Sequence, residues 1–283
     1  MIPSSFDYYR AASLDDAIAK LAAGDGAKIL AGGHSLIPLM KLRLSEPQLL
    51  VDVARLPELS GIRRQDGLIE IGAGTVHHAV ASSALVRDAC PMLAEVAGAI
   101  GDPQVRNRGT LGGSLAHADP AADYPAAMLA LDAEIVLRGP GGTRTVRARD
   151  FFLGLFTVDL APDELIVAVR FAPARAAAYA RLSQRASHFP IVGVAAVLDL
   201  QGGTVRGARV GLTGVGTHAT RLAAVEQALA GRPADAATFE AAAAHAADGL
   251  EDVNADIHAS AEYRRAMVVV FTRRALADAA ARG

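Results

Sequence analysis

Two glycine pairs, each followed by a hydroxyl side chain, are the residues in this chain best suited to chemistry. The first lies in Ala31-Gly32-Gly33-His34-Ser35-Leu36 and the second in Thr110-Leu111-Gly112-Gly113-Ser114. Paired glycines permit positive φ and remove the Cβ that keeps a ligand away from the backbone. Consecutive backbone N–H groups in such a turn can converge on an anion. Two turns on opposite sides would grip a diphosphate without any lysine, with the hydroxyls of Ser35, Thr110 and Ser114 as further donors. The competing reading is that each Gly-Gly is simply a tight turn. Recurrence of the same form weighs against it. Asp119 and Asp123 also have two readings. Both can accept hydrogen bonds from sugar or ribityl hydroxyls, and Asp123 can instead cap a helix that begins near Pro125.

Other nucleotide fingerprints fail. Gly72-Ala73-Gly74 opens like G-x-G-x-x-G but carries His77 at the third glycine position, and no G-x-x-x-x-G-K-[ST] occurs. His77-His78 lacks further ligands at a usual metal spacing. His34 has a tuning role or a plain turn role, and Arg185 and His188 read more simply as solvated strand ends.

The elements that must hold these turns follow from pattern. Ser13 and Asp16 form a variant capping box, with Leu14, Ala17, Ile18 and Leu21 at helical spacing. Gly24-Asp25-Gly26 ends that helix, and a strand at 28–31 runs into the first glycine pair. Further strands are predicted at 49–53, 68–72 and 133–137, and helices over 85–100 with a break at Cys90-Pro91. Pro125 sits in the first turn of another helix. Beyond 172–178 three antiparallel strands are predicted at 179–184, 192–200 and 205–212, with Gly202-Gly203 as the hairpin turn. Gly211 to Gly216 reads as turn chemistry at the last strand's end. Helices at 219–230, 235–247 and 260–281 follow. Glu262, Arg264, Arg265, Arg273 and Arg274 read as the wet face of the last. The expected class is α+β. It comprises an N-terminal α/β lobe (1–55), a second α/β lobe (56–173) and a C-terminal domain (174–283) of a three-stranded antiparallel sheet with a helix bundle.

Composition narrows the function. The chain has 283 residues, 52% hydrophobic and 20% charged, with 28 basic against 30 acidic groups and net charge −2. No cluster of Lys and Arg favours nucleic acid. The most apolar stretch, 190–198, is far short of the roughly 20 residues a membrane helix needs. With Asp7 and Arg10 ahead of any apolar run, no secretory leader is expected, and the chain reads as cytoplasmic. Cys90 stands alone, so any cysteine-ligated iron–sulfur cluster belongs to a partner.

The segment Lys28-Ile29-Leu30-Ala31-Gly32-Gly33-His34-Ser35-Leu36-Ile37-Pro38-Leu39-Met40-Lys41-Leu42-Arg43 closely resembles the first FAD-binding segment of the medium subunits of carbon monoxide dehydrogenase-like enzymes, in the wider xanthine dehydrogenase group. Arg108-Gly109-Thr110-Leu111-Gly112-Gly113-Ser114, continuing to Asp123-Tyr124-Pro125-Ala126, resembles the second. The likeness runs almost end to end. It implies the vanillyl-alcohol oxidase (PCMH-type) FAD-binding fold and places both glycine turns on the FAD diphosphate. It implies cofactor contacts from Asp123, from a residue near Ile166, and from Phe189 beside the flavin ring. Phe189 replaces the tyrosine of carbon monoxide dehydrogenases, which argues against that particular activity, and Ser114 replaces Asp or Asn.

The resemblance further implies a division of labour over three chains. A large molybdopterin-binding subunit oxidises substrate, a small [2Fe–2S] subunit passes electrons singly, and FAD on this chain delivers them to an external acceptor. No catalytic acid or base stands out, as expected where the cofactor carries the chemistry. A stand-alone flavin oxidoreductase and a cofactor-less scaffold are the rival readings.

Overall fold

A computed structural model describes residues 1–24 and 26–283, so Asp25 of the expected Gly24-Asp25-Gly26 turn lies outside the described residues. Three short strands, β1 (Asp7–Arg10), β2 (Ala27–Leu30) and β3 (Leu49–Asp52), form a parallel sheet with β3 in the middle. Helix α1 (Leu14–Ala23) begins where Ser13 Oγ accepts from the Asp16 amide, and it buries Leu14, Ala17, Ile18 and Leu21. Helix α2 (Leu36–Lys41) follows β2 directly. The first glycine pair therefore occupies the carboxyl end of a parallel strand, where α/β sheets bind ligands.

The second lobe, expected as a mixture of strands and helices, does not repeat the parallel arrangement of the first. Its sheet is antiparallel, in the order β4 (Ile62–Gln65), β5 (Leu68–Gly72), β10 (Leu165–Phe171), β6 (Glu134–Gly139), β7 (Gly142–Arg147). A helical excursion separates β5 from β6. It comprises α3 (His77–Ser82), α4 (Ala84–Ala89), α5 (Pro91–Ala99), α6 (Pro103–Arg106), α7 (Leu111–His117) and α8 (Asp123–Leu131). Pro91 starts α5 at the break at Cys90, where burial pushes the thiol up to about 12. After β7 come α9 (Ala148–Phe151) and a hairpin of β8 (Phe152–Gly154) and β9 (Thr157–Val158). Glu70, buried on β5, is paired across strands with Arg63 on β4 and with Arg170 on β10 at 2.6 Å.

The C-terminal sheet has four strands where three were expected: β11 (Ala177–Ser183), β12 (Pro190–Gln201), β13 (Thr204–Thr213) and β14 (Thr220–Arg221). Thr220 and Arg221, expected in a helix, pair instead with Leu212 and Gly211. Helix α10 accordingly runs only over Ala223–Leu229. Gly202 and Gly203 make the hairpin with φ of 57° and 76°. Helices α11 (Ala236–Ala243) and α12 (Ala261–Ala280) complete the domain. Strand β12 is apolar without alternation because both faces are covered: Ala195 and Val197 join the core around α8, while Val192, Val194, Ala196 and Leu198 join the core under α12.

Arg264 does not belong to a wet face. It is 4% exposed and donates to the carbonyls of Ile191 and Gly214 and to Asp256. Glu262, Arg273 and Arg274 are exposed as expected.

Candidate functional site between two glycine turns

The two turns meet. Gly33 has φ of 75°, and Gly32 lies so close to the chain before Thr110 that a Cβ on it would overlap the Arg108 carbonyl oxygen and sit 2.8 Å from Gly109 Cα. No other residue type fits Gly32. Thr110 caps α7 by accepting from the Gly113 amide at 3.1 Å and is fixed behind by a bridge to Val76.

The amides of the two turns are used differently. In the second turn they are committed inside the protein: Leu111 N–H to Thr75 O at 3.0 Å, Gly112 N–H to Ala73 O at 2.8 Å, Gly113 N–H to Thr110 Oγ1, and Ser114 N–H to Thr110 O at 3.1 Å. Gly112 is buried, and a Cβ there would meet the Ala73 carbonyl at 2.9 Å, so this glycine serves packing. In the first turn the amides of Gly33, His34, Ser35 and Leu36 have no acceptor among the described residues. Four successive unpaired amides, with His34 and Ser35 exposed, suit a ligand anion. Of the two turns expected to offer amides, the first has them free and the second has them paired, among the described residues.

His77 supports the joint from beneath. Its amide donates to Gly109 O at 2.9 Å, and its Nε2 would lie 2.6 Å from a methyl on Gly109. Burial, with smaller contributions from His34 and Arg106, lowers its pKa to about 4, so the ring is neutral. The ring packs 5.3 Å from Tyr124, and its Nδ1 and the Tyr124 hydroxyl are buried without hydrogen-bond partners among the described residues.

Asp119 and Asp123 separate in role. Asp119 Oδ1 accepts from Ala121 N–H at 2.8 Å, and the residue lines an open cleft of about 480 Å³ together with Phe156, Gln184, Phe189 and Arg264. Asp123 is the first residue of α8, not its cap, and is 4% exposed. Its Oδ1 accepts from Tyr179 Oη at 2.8 Å and from Arg181 at 2.9 Å. Burial pushes the carboxyl up, and those two donors pull it back.

Phe189 stands 46% exposed on the cleft wall, just ahead of β12. Ile166 is buried in β10 beside a bulge and packs into the central core, as does Leu111. Ala31, Leu36 and Ser114 are half-buried, and Gly113 is exposed. Sequence reasoning missed Phe156, which is 52% exposed, has φ of 50° and stacks 5.1 Å from His117. The available signal was Phe151-Phe152-Leu153-Gly154-Leu155-Phe156, more apolar side chains than a short hairpin can bury. It also missed Arg181, whose position in β11 gives no such sign.

Residues 4–174 match the family described as FAD binding domain in molybdopterin dehydrogenase, and residues 177–279 match the CO dehydrogenase flavoprotein C-terminal domain. The chain is 43% identical to the carbon monoxide dehydrogenase medium chain of Hydrogenophaga pseudoflava, covering 100% of this chain and 99% of that one. It is 41% identical to the 6-hydroxypseudooxynicotine dehydrogenase complex subunit alpha of Paenarthrobacter nicotinovorans, covering 99% and 96%. Its structure superposes with a TM-score of 0.96 on carbon monoxide dehydrogenase from Hydrogenophaga pseudoflava, covering 100% and 99% at 43% identity. On quinoline 2-oxidoreductase from Pseudomonas putida 86 the TM-score is 0.94, covering 99% of each chain at 36% identity.

Proposed function

This chain belongs to the family of FAD-binding medium subunits of molybdopterin dehydrogenases, and from that premise we propose that it relays electrons from a partner's [2Fe–2S] clusters through FAD to an external acceptor. It is an oxidoreductase subunit that binds FAD. The relay and the partners, a large molybdopterin-binding subunit and a small [2Fe–2S] subunit, are the proposal.

One observation carries the site assignment: unpaired amides at Gly33 to Leu36 lie on a turn that closes against Gly109 without room for a methyl group. A negatively charged linker fits that turn. The amides would hold the FAD diphosphate, Ser114 would add a hydroxyl, and Asp119 would accept from cofactor hydroxyls. Phe189 and Phe156 would wall the ring and exclude water. Bound FAD supplies the exchange between one-electron and two-electron carriers, which no side chain in this cleft can perform.

The substrate need not be read from this chain. Relatives named for carbon monoxide, for 6-hydroxypseudooxynicotine and for quinoline share this one architecture. That supports a specificity pocket on another subunit. Among the described residues no helix is long and apolar enough to cross a membrane, which is compatible with a cytoplasmic complex.

The test is direct. The purified chain titrated with FAD is expected to acquire flavin absorption, and the chain pulled from its source cell is expected to bring iron- and molybdenum-containing subunits. A chain that stays colourless in excess FAD refutes the site; a flavin-loaded chain active without partners refutes the relay.

A further inference from the structure

Arg181, on β11, ties three parts of the molecule together. Its Nη1 donates to Asp123 Oδ1 at 2.9 Å and to the His188 carbonyl at 3.0 Å, and its Nη2 donates to the Ala99 carbonyl at 2.6 Å. The side chains of Arg181 and Asp123 are 15% and 5% exposed. Tyr179 fixes the same carboxylate oxygen. Beyond the strand, Gln184 Oε1 accepts from the amides of Ala186 and Ser187, and Gln184 N–H donates to Phe189 O at 2.9 Å. Segment 184–189 is thus closed on itself, and the His188 carbonyl, from a residue with φ of 62°, is where Arg181 moors it to the body. The next residue is Phe189, on the cleft wall.

We propose that Arg181 is a positioning residue that sets Phe189 against the flavin, with buried Asp123 holding the guanidinium in place through Oδ1. The inference rests on the assignment of this cleft to FAD. A planar guanidinium serves three acceptors at once in a fixed fork, which a lysine ammonium cannot reproduce. Asp123 supplies the charge that holds the fork in place.

Arg181→Lys keeps a cation beside Asp123 and removes the fork. FAD dissociation constants and the circular dichroism of the bound flavin are measured for this variant in the wild-type and Phe189→Ala backgrounds. Should it melt too early, Arg181→Gln, which keeps a planar donor but not the full fork, replaces it in the same cycle. In the wild-type background the substitution is expected to weaken FAD about tenfold and to alter the flavin dichroism. In the Phe189→Ala background the loss is expected to shrink below about twofold, because the two residues act as one unit. Equal losses in both backgrounds, or a lower melting temperature with unchanged affinity and spectrum, overturn the proposal. Failure of the wild-type chain to take up FAD overturns both this and the cleft assignment, whereas a flavin-loaded wild type with an unaffected variant overturns this proposal alone.

Discussion

A methyl group placed on Gly32 would sit 2.8 Å from Gly109 Cα, so the two turns that flank the candidate site are joined backbone to backbone. Gly32→Ala is therefore expected to wedge them apart and weaken FAD binding by at least about tenfold, or about 1.4 kcal/mol. Secondary structure should persist, because the parallel sheet behind Gly32 does not depend on the joint. Gly207→Ala, in β13 with nothing near the new Cβ, is the control. Fluorescence titration with FAD decides it; equal affinities for the two variants would remove the joint from the site.

The aromatic pair on the cleft wall makes a second expectation. Phe156 adopts a left-handed conformation that costs a bulky residue about 1–3 kcal/mol. Phe156→Gly relieves that strain while losing the packing on His117, so the melting temperature should barely move. FAD affinity or the flavin spectrum should change, because the cleft loses one of the two exposed phenylalanines that line it. A variant with unaltered flavin properties would show that the strained residue serves something else.

Much of this arrangement was legible from residues alone, for local reasons. Ser13 with Asp16, Pro91 after Cys90, and Gly202-Gly203 act within a few residues of themselves, and each forms the cap, helix start or turn expected. What escaped depends on distant partners. The amides of Leu111 and Gly112 are spent on the carbonyls of Thr75 and Ala73, some 36 to 39 residues away in the chain, and no local pattern encodes that. Ser114 and Gly113 look the same in sequence as Ser35 and Gly33, yet among the described residues only the first turn keeps open donors. Nor does the sequence show that Asp123 faces Arg181. Arg264 was legible in principle: it falls on the helical row of Val268, Phe271, Ala275 and Ala279, all buried, and was misread because arginines on long helices usually face water.

That buried arginine yields a stability prediction. Arg264→Ala strips donors from the carbonyls of Ile191 and Gly214 and leaves Asp256 without its cation. Breaking one partner of a buried pair costs about 3–5 kcal/mol. Asp256 is 44% exposed at its side chain and can rehydrate, so the lower end is expected. Arg273→Ala, on the exposed face of the same helix, should stay within about 0.5 kcal/mol of wild type. Urea unfolding compares them, and similar midpoints would mean that Arg264 is dispensable to the C-terminal domain.

Acid should open the joint through His77. The imidazole has its pKa lowered from 6.5 to about 4, first by burial and then by His34 and Arg106. The folded state thus keeps it neutral where the unfolded chain would protonate it. Its contribution to stability is complete above pH 6.5 and is lost as pH falls toward 4. Between pH 7.5 and 4.5 the loss comes to about 2–3 kcal/mol at about 1.36 kcal/mol per pH unit. Because the ring edge lies against Gly109, protonation pushes on the segment that Gly32 abuts, and FAD release should accompany the loss. Carboxylates also titrate near the acid end, so the informative quantity is the difference from His77→Gln, which cannot ionise. Urea unfolding at the two pH values, in saturating FAD, should show a smaller acid loss for the variant and flavin retained to lower pH. Parallel losses in the two proteins would assign the acid sensitivity to other groups and leave His77 as packing beneath the turn.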